Sequence, residues 1–407
     1  MSCAPELFFY LDKQLMGKVD FSDTQIAFES KTDKELKFME FLFRMMSKQK
    51  LTNFASSIGL KFVKWGFPGV RYFVEKTIFS HFCGGKSLED SISTIMDLEK
   101  YGVATVLDYG AEGSEDEEDF ERTLRQTIKS IDFAGSYPSV PVLSTKVTGI
   151  ARTQLLKDYQ KKRGNLELEE LQEFNRAYER LDKICKAASE KGVGIMIDAE
   201  ESPIQDSIDF LVEKMMEKHN KNKVVVYQTF QMYRHDKLDY LKKLFKDANE
   251  KGYLLGAKLV RGAYMEKERK WAKEGGYPSP IHATKADTDN AYNEGIRFCV
   301  ENYEKIALCN ASHNLRSAEL MIELIEKNGL QKDHAHLNFC QLYGMSDYIT
   351  YNLAKGGFNV AKYVPYGPVK EVIPYLIRRA EENTTVTGEI GREHQMILDE
   401  LNRRKKT

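Results

Sequence analysis

From residue 101 onward, short apolar runs alternate with longer amphipathic stretches, and the alternation repeats eight times. The apolar runs are GVATVLD (102–108), SVPVLSTK (139–146), GVGIMID (192–198) and KVVVYQ (223–228). They continue with LLGAKLV (254–260), KIALCNAS (305–312), HLNFCQL (336–342) and FNVAKY (358–363). Each run suits a buried strand, while the stretches between them carry apolar residues at helical spacing. Two of those stretches, LQEFNRAYERLDKICKAASEKG (171–192) and DKLDYLKKLFKDANEKG (236–252), end on a glycine, which marks a helix C-cap. Strands that are apolar throughout and alternate with helices predict a parallel sheet covered by helices. Eight such units in about 290 residues predict a closed (β/α)8 barrel of TIM type. A doubly wound open sheet is the alternative. It would use fewer strands and a glycine-rich turn after the first, which VLDYGAE does not supply.

The first hundred residues show no strand pattern. ELKFMEFLFRMM (35–46) and the stretch 87–100 have helical spacing. Between them, residues 60–82 mix Phe62, Trp65, Phe67, Tyr72 and Phe73 with Lys61, Lys64, Arg71 and Lys76. That segment reads either as a membrane-surface helix or as helices packed on the main domain. The predicted organisation is an N-terminal helical region (1–100), a catalytic barrel (101–390) and a charged C-terminal tail (391–407).

Composition narrows the function. Sixty basic and sixty-one acidic residues give a net charge of −1, so no bulk field draws in nucleic acid. The six cysteines form no C-x-x-C pair and read as reduced thiols. The N-terminus lacks the features of a signal or transit peptide, and no apolar run approaches the ~18–20 residues that span a bilayer. A cytoplasmic protein is expected. Gly85-Lys86-Ser87 imitates the end of a P-loop, but its first glycine would fall at Ser80. Gly192-Val193-Gly194 begins a dinucleotide fingerprint, yet Ile197 stands where the third glycine belongs. A dinucleotide would therefore be held without a Rossmann turn. His334 and His336 share a strand face at the beginning of the seventh run, the stability end of a barrel, so no metal site is expected there. The acidic run GSEDEED (113–119) suits the start of a helix.

Barrel enzymes place their chemistry at the C-terminal ends of the strands. Those ends here carry Asp108, Lys146, Asp198, Gln228, Lys258, Asn314 and Tyr363, a dense polar ring. The segment YVPYGPVKEVIPYLIRRAEEN (363–383) adds Arg378 and Arg379, two planar guanidinium forks from one helical turn, with Glu382 four residues after Arg378. Gly367-Pro368 would start this helix and Pro374 kink or restart it. Two arginines at a barrel mouth suit a small carboxylate. On an exposed helix the same residues would form only a surface ion pair.

YLIRRAEEN (375–383), together with AKLVRGAYM (257–265), MIDAEES (196–202) and ASHN (311–314), closely resembles the proline dehydrogenase family. The resemblance runs in order from about residue 101 to 388 and includes little of the N-terminal region. It implies a flavin-dependent barrel that holds FAD and oxidises L-proline to Δ1-pyrroline-5-carboxylate by hydride transfer to flavin N5. It also implies roles residue by residue. Arg378, Arg379 and Lys146 would bind the proline carboxylate, with Glu382 holding Arg378. Tyr363 and Leu342 would pack on the pyrrolidine ring, and Tyr264 and Asp198 would orient the charged groups around it. Lys258 would reach the N5 edge of the flavin and Gln228 its pyrimidine side. Val260, Gly262 and Ala263 would run along the cofactor, and Lys285, Ser312 and His313 would meet its phosphates and adenosine end.

Lys258 and Met265 depart from the Arg and Trp of the bacterial bifunctional branch and resemble the stand-alone, eukaryote-like branch. The resemblance further implies a quinone as electron acceptor and peripheral contact with the inner membrane. It also implies a separate NAD-dependent pyrroline-5-carboxylate dehydrogenase downstream. A hydroxyproline dehydrogenase, a Schiff-base lyase using Lys146 or Lys258, and a non-catalytic anion-binding barrel are the alternatives.

Overall fold

Eight parallel strands close on themselves in sequence order. They are β1 (Ala104–Tyr109), β2 (Val142–Thr145), β3 (Gly194–Ile197), β4 (Val226–Gln231), β5 (Leu255–Val260), β6 (Ile306–Ala311), β7 (Leu337–Leu342) and β8 (Asn359–Tyr366). The computed structural model describes residues 19–46, 75–110, 115–373, 375, 376, 378 and 387–406. The helices include α1 (Thr24–Ala27), α2 (Asp33–Met46), α3 (Leu88–Lys100), α4 (Glu117–Ala134), α5 (Thr153–Lys161), α6 (Leu168–Lys191) and α7 (Ser202–His219). They continue with α8 (Lys237–Lys251), α9 (Met265–Gly275), α10 (Lys285–Glu301), α11 (Leu315–Lys327), α12 (Asp347–Lys355) and α13 (Thr387–Arg404). The expected (β/α)8 barrel is therefore present.

The local chemistry explains where elements begin and end. The expected helix at 87–100 is α3, whose N-cap Ser87 accepts from the Asp90 amide. The acidic run opens α4, with Asp116 capping and Glu117, Glu118 and Asp119 in the first turn, where carboxylates meet the positive end of the helix dipole. Helices α6 and α8 end on Gly192 and Gly252, as their sequences predict.

One strand is displaced at both ends. The run at 223–228 becomes β4 only from Val226, three residues later than its apolar start suggests. Asn220, at the end of α7, is the physical reason. Its Oδ1 accepts from the amides of Val225 and Val226 at 2.9 Å each, and its Nδ2 donates to Val226 O at 2.8 Å. The side chain thus fixes the approach to the sheet, and ladder pairing with β5 runs on to Gln231.

The register assigns the barrel interior. Val106 pairs with Tyr363, Thr229 with Lys258, Lys258 with Cys309, and Cys340 with Ala361, so these side chains share the inner face. Val106, Met196, Tyr227, Ala307, Cys309, Cys340 and Tyr363 form an inner core, while a larger one fills the space between the sheet and the helices. Residues 60–74 of the aromatic segment lie outside the described residues. Its remainder packs inward, with Phe79 and Phe82 buried and Gly84 N donating to Pro365 O at the end of β8.

The charged tail expected at 391–407 is corrected to the greater part of a helix. In α13, Met396 and Ile397 are buried, and Glu400 is completely enclosed. Glu400 accepts from Thr24 Oγ1 at 3.0 Å, Arg403 at 2.8 Å and Arg404 at 2.7 Å. Arg404 also donates to Phe28 O and pairs with Asp33, so α13 is stitched to α1 and α2.

Gly256 marks the tightest point of the strand packing. A Cβ there would meet Val226 O at 2.3 Å and Tyr227 Cα at 2.9 Å, both backbone atoms. Gly256→Ala is expected to lower unfolding free energy by ~1–3 kcal/mol through overpacking. Gly391→Ala, where the added Cβ meets nothing within 4 Å in α13, is expected to raise it by about 0.5–1 kcal/mol. Denaturant unfolding of the two variants should move in opposite directions.

Candidate active site

Because every strand runs the same way, the residues that end them converge on one mouth. Asp198, one residue past β3, lies at its centre. It accepts from Lys258 Nζ at 2.6 Å and from the Tyr363 hydroxyl at 2.8 Å, and Lys146 Nζ stands 3.9 Å away. Lys258 also lies 4.8 Å over the Tyr363 ring, a cation–π contact between β5 and β8. Lys146, just beyond β2, is 3.7 Å from Asp108 at the end of β1. Five strands thus supply two lysines, two carboxylates and a phenol, largely shielded from water.

The two carboxylates are not equivalent. Burial opposes the charge on Asp198, but Lys258 and Lys146 outweigh it and hold the carboxyl down at about 2. Burial dominates at Asp108, which is pushed up to about 6 despite Lys146, with Asp198 adding repulsion. Asp108 Oδ1 is buried with no hydrogen-bond partner among the described residues. Burial and the two carboxylates push the Tyr363 hydroxyl far above its ordinary range, so it remains a donor.

A second cluster lies beyond β5 and β6. Arg261 Nε donates to Asp289 at 2.7 Å, its Nη1 to Ser312 Oγ at 2.6 Å and its Nη2 to Ser317 Oγ at 3.0 Å. Its guanidinium stacks 4.3 Å from the Tyr292 ring. Lys285, the first residue of α10, reaches Asp289 at 2.5 Å and is largely exposed. Ser312 and His313 immediately precede α11, whose N-cap is Asn314. Two helix N-termini with Arg261 and Lys285 form a cradle for an anionic group. Val260, Gly262 and Ala263 are half-buried between this cradle and the lysine pair. Gly262 has φ 127°, and a Cβ would come within 2.5 Å of the Tyr233 ring, so no larger residue fits.

The structure brings most of the expected site residues to this end of the barrel. Leu342 and Tyr363 are paired across β7 and β8, and Tyr264 caps α9. Tyr264 and Arg378 line a cavity of about 280 Å³ together with Thr148, Glu200 and Trp271. Arg379, Glu382 and Pro374 lie outside the described residues.

Gln228 does not face the mouth, which corrects its expected place. It points outward into the helix layer, where its Nε2 donates to Asp209 at 2.7 Å and to the Tyr240 hydroxyl at 2.9 Å. The displaced β4 turns Thr229 and Gln231 inward instead. Thr229 Oγ1 and Gln231 Oε1 are buried and have no hydrogen-bond partner among the described residues, while Gln231 Nε2 holds Glu200 O at 2.7 Å. Gln231 and Arg261 are the residues that the sequence reading missed. A period-two count back from Lys258 across the sheet would have found the first. The second stands openly between Val260 and Gly262.

A parallel barrel whose mouth combines paired lysines, inward donors and an anion cradle without a glycine-rich turn has the architecture of a flavin-type (β/α)8 oxidoreductase. The family model described as "Proline dehydrogenase" matches residues 91–392. Proline dehydrogenase 2, mitochondrial, of Arabidopsis thaliana is 33% identical over 373 residues, covering 81% of this chain and 78% of its own. The carbapenem antibiotics biosynthesis protein CarD of Pectobacterium carotovorum is 34% identical, covering 80% of this chain and 84% of its own. Proline utilization A from Bdellovibrio bacteriovorus, inactivated by N-propargylglycine, superposes with a TM-score of 0.70 at 20% identity. That superposition covers 89% of this chain but only 38% of that much longer one, and it bears on the fold alone. The chain belongs to the proline dehydrogenase family, FAD-dependent enzymes that oxidise proline in the first step of its catabolism. The residues present fit the cofactor. The cradle of Arg261, Lys285 and two helix N-termini suits a pyrophosphate, and Thr229 and Gln231 offer unpaired buried oxygens at the mouth.

The split between the carboxylates sets opposite pH dependences. Asp198, held below its ordinary value of 3.8, contributes stability that is present above about pH 4 and lost as pH falls through about 2. Asp108, raised to about 6, is most favourable when protonated, so its contribution fades as pH rises from about 4 through 6. Asp108→Asn cannot ionise. Its melting temperature relative to the unmodified protein should therefore climb between pH 4 and 6 and level off above 7. A constant difference across that range would show that Asp108 does not titrate there.

Proposed function

We propose that the mouth binds L-proline by its carboxylate and presents the pyrrolidine ring to FAD, yielding Δ1-pyrroline-5-carboxylate. The convergence of Lys146, Lys258, Asp198 and Tyr363 on one end of the barrel, beside the cavity lined by Tyr264 and Arg378, carries this reading. When bound, FAD supplies the hydride chemistry. The chain's own residues bind, orient and shield. Lys146, Arg378 and Arg379 oppose the substrate carboxylate, and Glu382 steadies Arg378. Leu342 and Tyr363 wall the ring, and Asp198 and Tyr264 order the charged groups around it. Holding the carboxylate with several cations removes orientational freedom from the reaction step. Lys258 keeps a positive charge at the flavin's N5 edge, where it stabilises negative charge gathered by the reduced ring system. Gln231, in place of Gln228, serves the pyrimidine side. Val260, Gly262 and Ala263 run along the cofactor, and Arg261, Lys285, Ser312 and His313 serve its phosphates and adenosine end.

The same proposal includes a quinone acceptor and a separate NAD-dependent pyrroline-5-carboxylate dehydrogenase that consumes the product. It also includes a cytoplasmic enzyme peripheral to the inner membrane. Among the described residues, no helix is long and apolar enough to cross a membrane. The catalytic unit is residues 101–390, with the N-terminal helices as an accessory region.

The purified protein is expected to show a flavin spectrum that L-proline bleaches, and to release FAD rather than FMN. Arg378→Lys and Arg379→Lys should raise KM for proline about ten- to a hundred-fold, since a charged hydrogen bond contributes ~1.5–3 kcal/mol. Flavin content should stay near normal. An unchanged KM in both variants would remove the arginine clamp.

Tyr363 is nearly enclosed, held by Asp198 at its hydroxyl and by Lys258 at its face. A ring so fixed leaves a substrate hydroxyl no partner there, and an unpaired buried polar group costs ~1–3 kcal/mol. L-proline should therefore exceed trans-4-hydroxy-L-proline in kcat/KM by at least about ten-fold. Tyr363→Ser should narrow the gap, mainly by harming proline. Equal efficiencies in the unmodified protein would move the assignment to a hydroxyproline dehydrogenase.

A further inference from the structure

The loop that joins β7 to α12 passes Ser346 through φ 53°, a left-handed conformation that serine adopts only when its surroundings enforce it. The enforcing group comes from the far end of the chain. Glu393, on α13, is buried, and its two oxygens accept from consecutive backbone amides. Oε2 takes Ser346 N at 2.9 Å, and Oε1 takes Asp347 N at 3.1 Å. A carboxylate is costly to enclose, and Glu393 faces a second one in Asp347. Lys362, 2.7 Å from Asp347, and Lys31, 3.8 Å from it, balance the cluster, with His81 beside them. Burial and Asp347 push the Glu393 carboxyl up to about 7, so the fold holds it there against its preference. On its other side Ser346 meets the mouth, where its hydroxyl lies 2.9 Å from His313 Nδ1. A rigid path therefore runs from α13 through the backbone of Ser346 to an imidazole at the N-terminus of α11.

We propose that Glu393 is a positioning residue for the cofactor. By locking Ser346, it aims His313 at the dinucleotide end of the flavin. This rests on the reading above in which His313 meets that end. It adds that the affinity for the adenosine half is set from the C-terminal helix, outside the motifs that define the site.

The test uses the full chain, stripped of flavin and titrated separately with FAD and with FMN by flavin fluorescence. FMN lacks the adenosine half and reports on the rest of the site. Glu393→Gln replaces one acceptor by an NH2 group that faces a backbone amide, which releases the loop. Ser346→Ala leaves the loop backbone in place and cuts only the link to His313. Both variants, and His313→Ala, should weaken FAD binding roughly ten-fold, the lower end of what loss of an orienting partner costs at metal sites. FMN binding should not change. The double variant of Glu393→Gln and Ser346→Ala should bind FAD no more weakly than the worse single one. If His313→Ala weakens FAD but the other two do not, the positioning role is wrong while the reading of His313 stands. If His313→Ala leaves FAD binding unchanged, that reading fails first. A parallel loss of FAD and FMN in Glu393→Gln would make Glu393 a general structural residue and overturn the proposal.

Discussion

The mouth of this barrel depends on one carboxylate. Asp198 sits within 4 Å of two lysines and hydrogen-bonds a phenol, all shielded from water. Without it, Lys258 would be a buried cation stripped of its carboxylate and Lys146 would lose one of its own, and an uncompensated buried charge costs ~3–5 kcal/mol. No local sequence preference could produce this arrangement. The four groups come from the ends of β2, β3, β5 and β8, and only closure of a parallel barrel brings those ends together. The same closure fixes the sidedness, since residues two apart alternate between the mouth and the helix layer.

The site separates its charges by task. At the centre, lysines and carboxylates nearly balance, so small changes in protonation at Asp108 alter the field that an amino-acid substrate meets. Toward α10 and α11 the balance tips positive. There Arg261 is held by three acceptors and a ring face, which leaves it little freedom and suits an orienting role. The two ends of the mouth thus present different fields, one balanced and one positive, without a glycine-rich turn.

Much of this was legible in the sequence because parallel strands buried on both faces read as continuous apolar runs. Six runs lie within about two residues of their predicted starts, β2 begins three residues late but ends where expected, and the acidic helix start and both glycine caps fall where expected. β4 escaped because its apolar run begins before its ladder does. Asn220, a side chain outside the strand, decides where pairing starts. A displacement of three residues inverts facing, so Gln228 goes to the helix layer and Gln231 to the mouth. The terminal helix was hidden for another reason. Its sequence is highly charged, and although Glu400 pairs locally with Arg403 and Arg404, the contacts that dock it, Thr24 on Glu400 and Asp33 on Arg404, lie more than 370 positions away.

That distant pairing bears on what the N-terminal hundred residues are for. The family match spans residues 91–392, and the helices that meet on the β7–β8 side of the barrel lie on either side of it. They are not loosely appended. Lys31 enters the barrel's charge network at Asp347, Asn352 of α12 donates to Asp23 O, and Tyr101 packs edge to face on Tyr351. Removing the N-terminal helices would strip Lys31 from Asp347 and a hydroxyl and a carboxylate from the partners of α13, unburying Phe28, Leu36 and Phe43 in the same stroke. The strands at risk would be β7 and β8, which carry Leu342 and Tyr363. A boundary drawn at residue 100 therefore divides the sequence by pattern but not the structure by stability. The terminal helices are the outer wall of the half of the barrel that carries Leu342 and Tyr363.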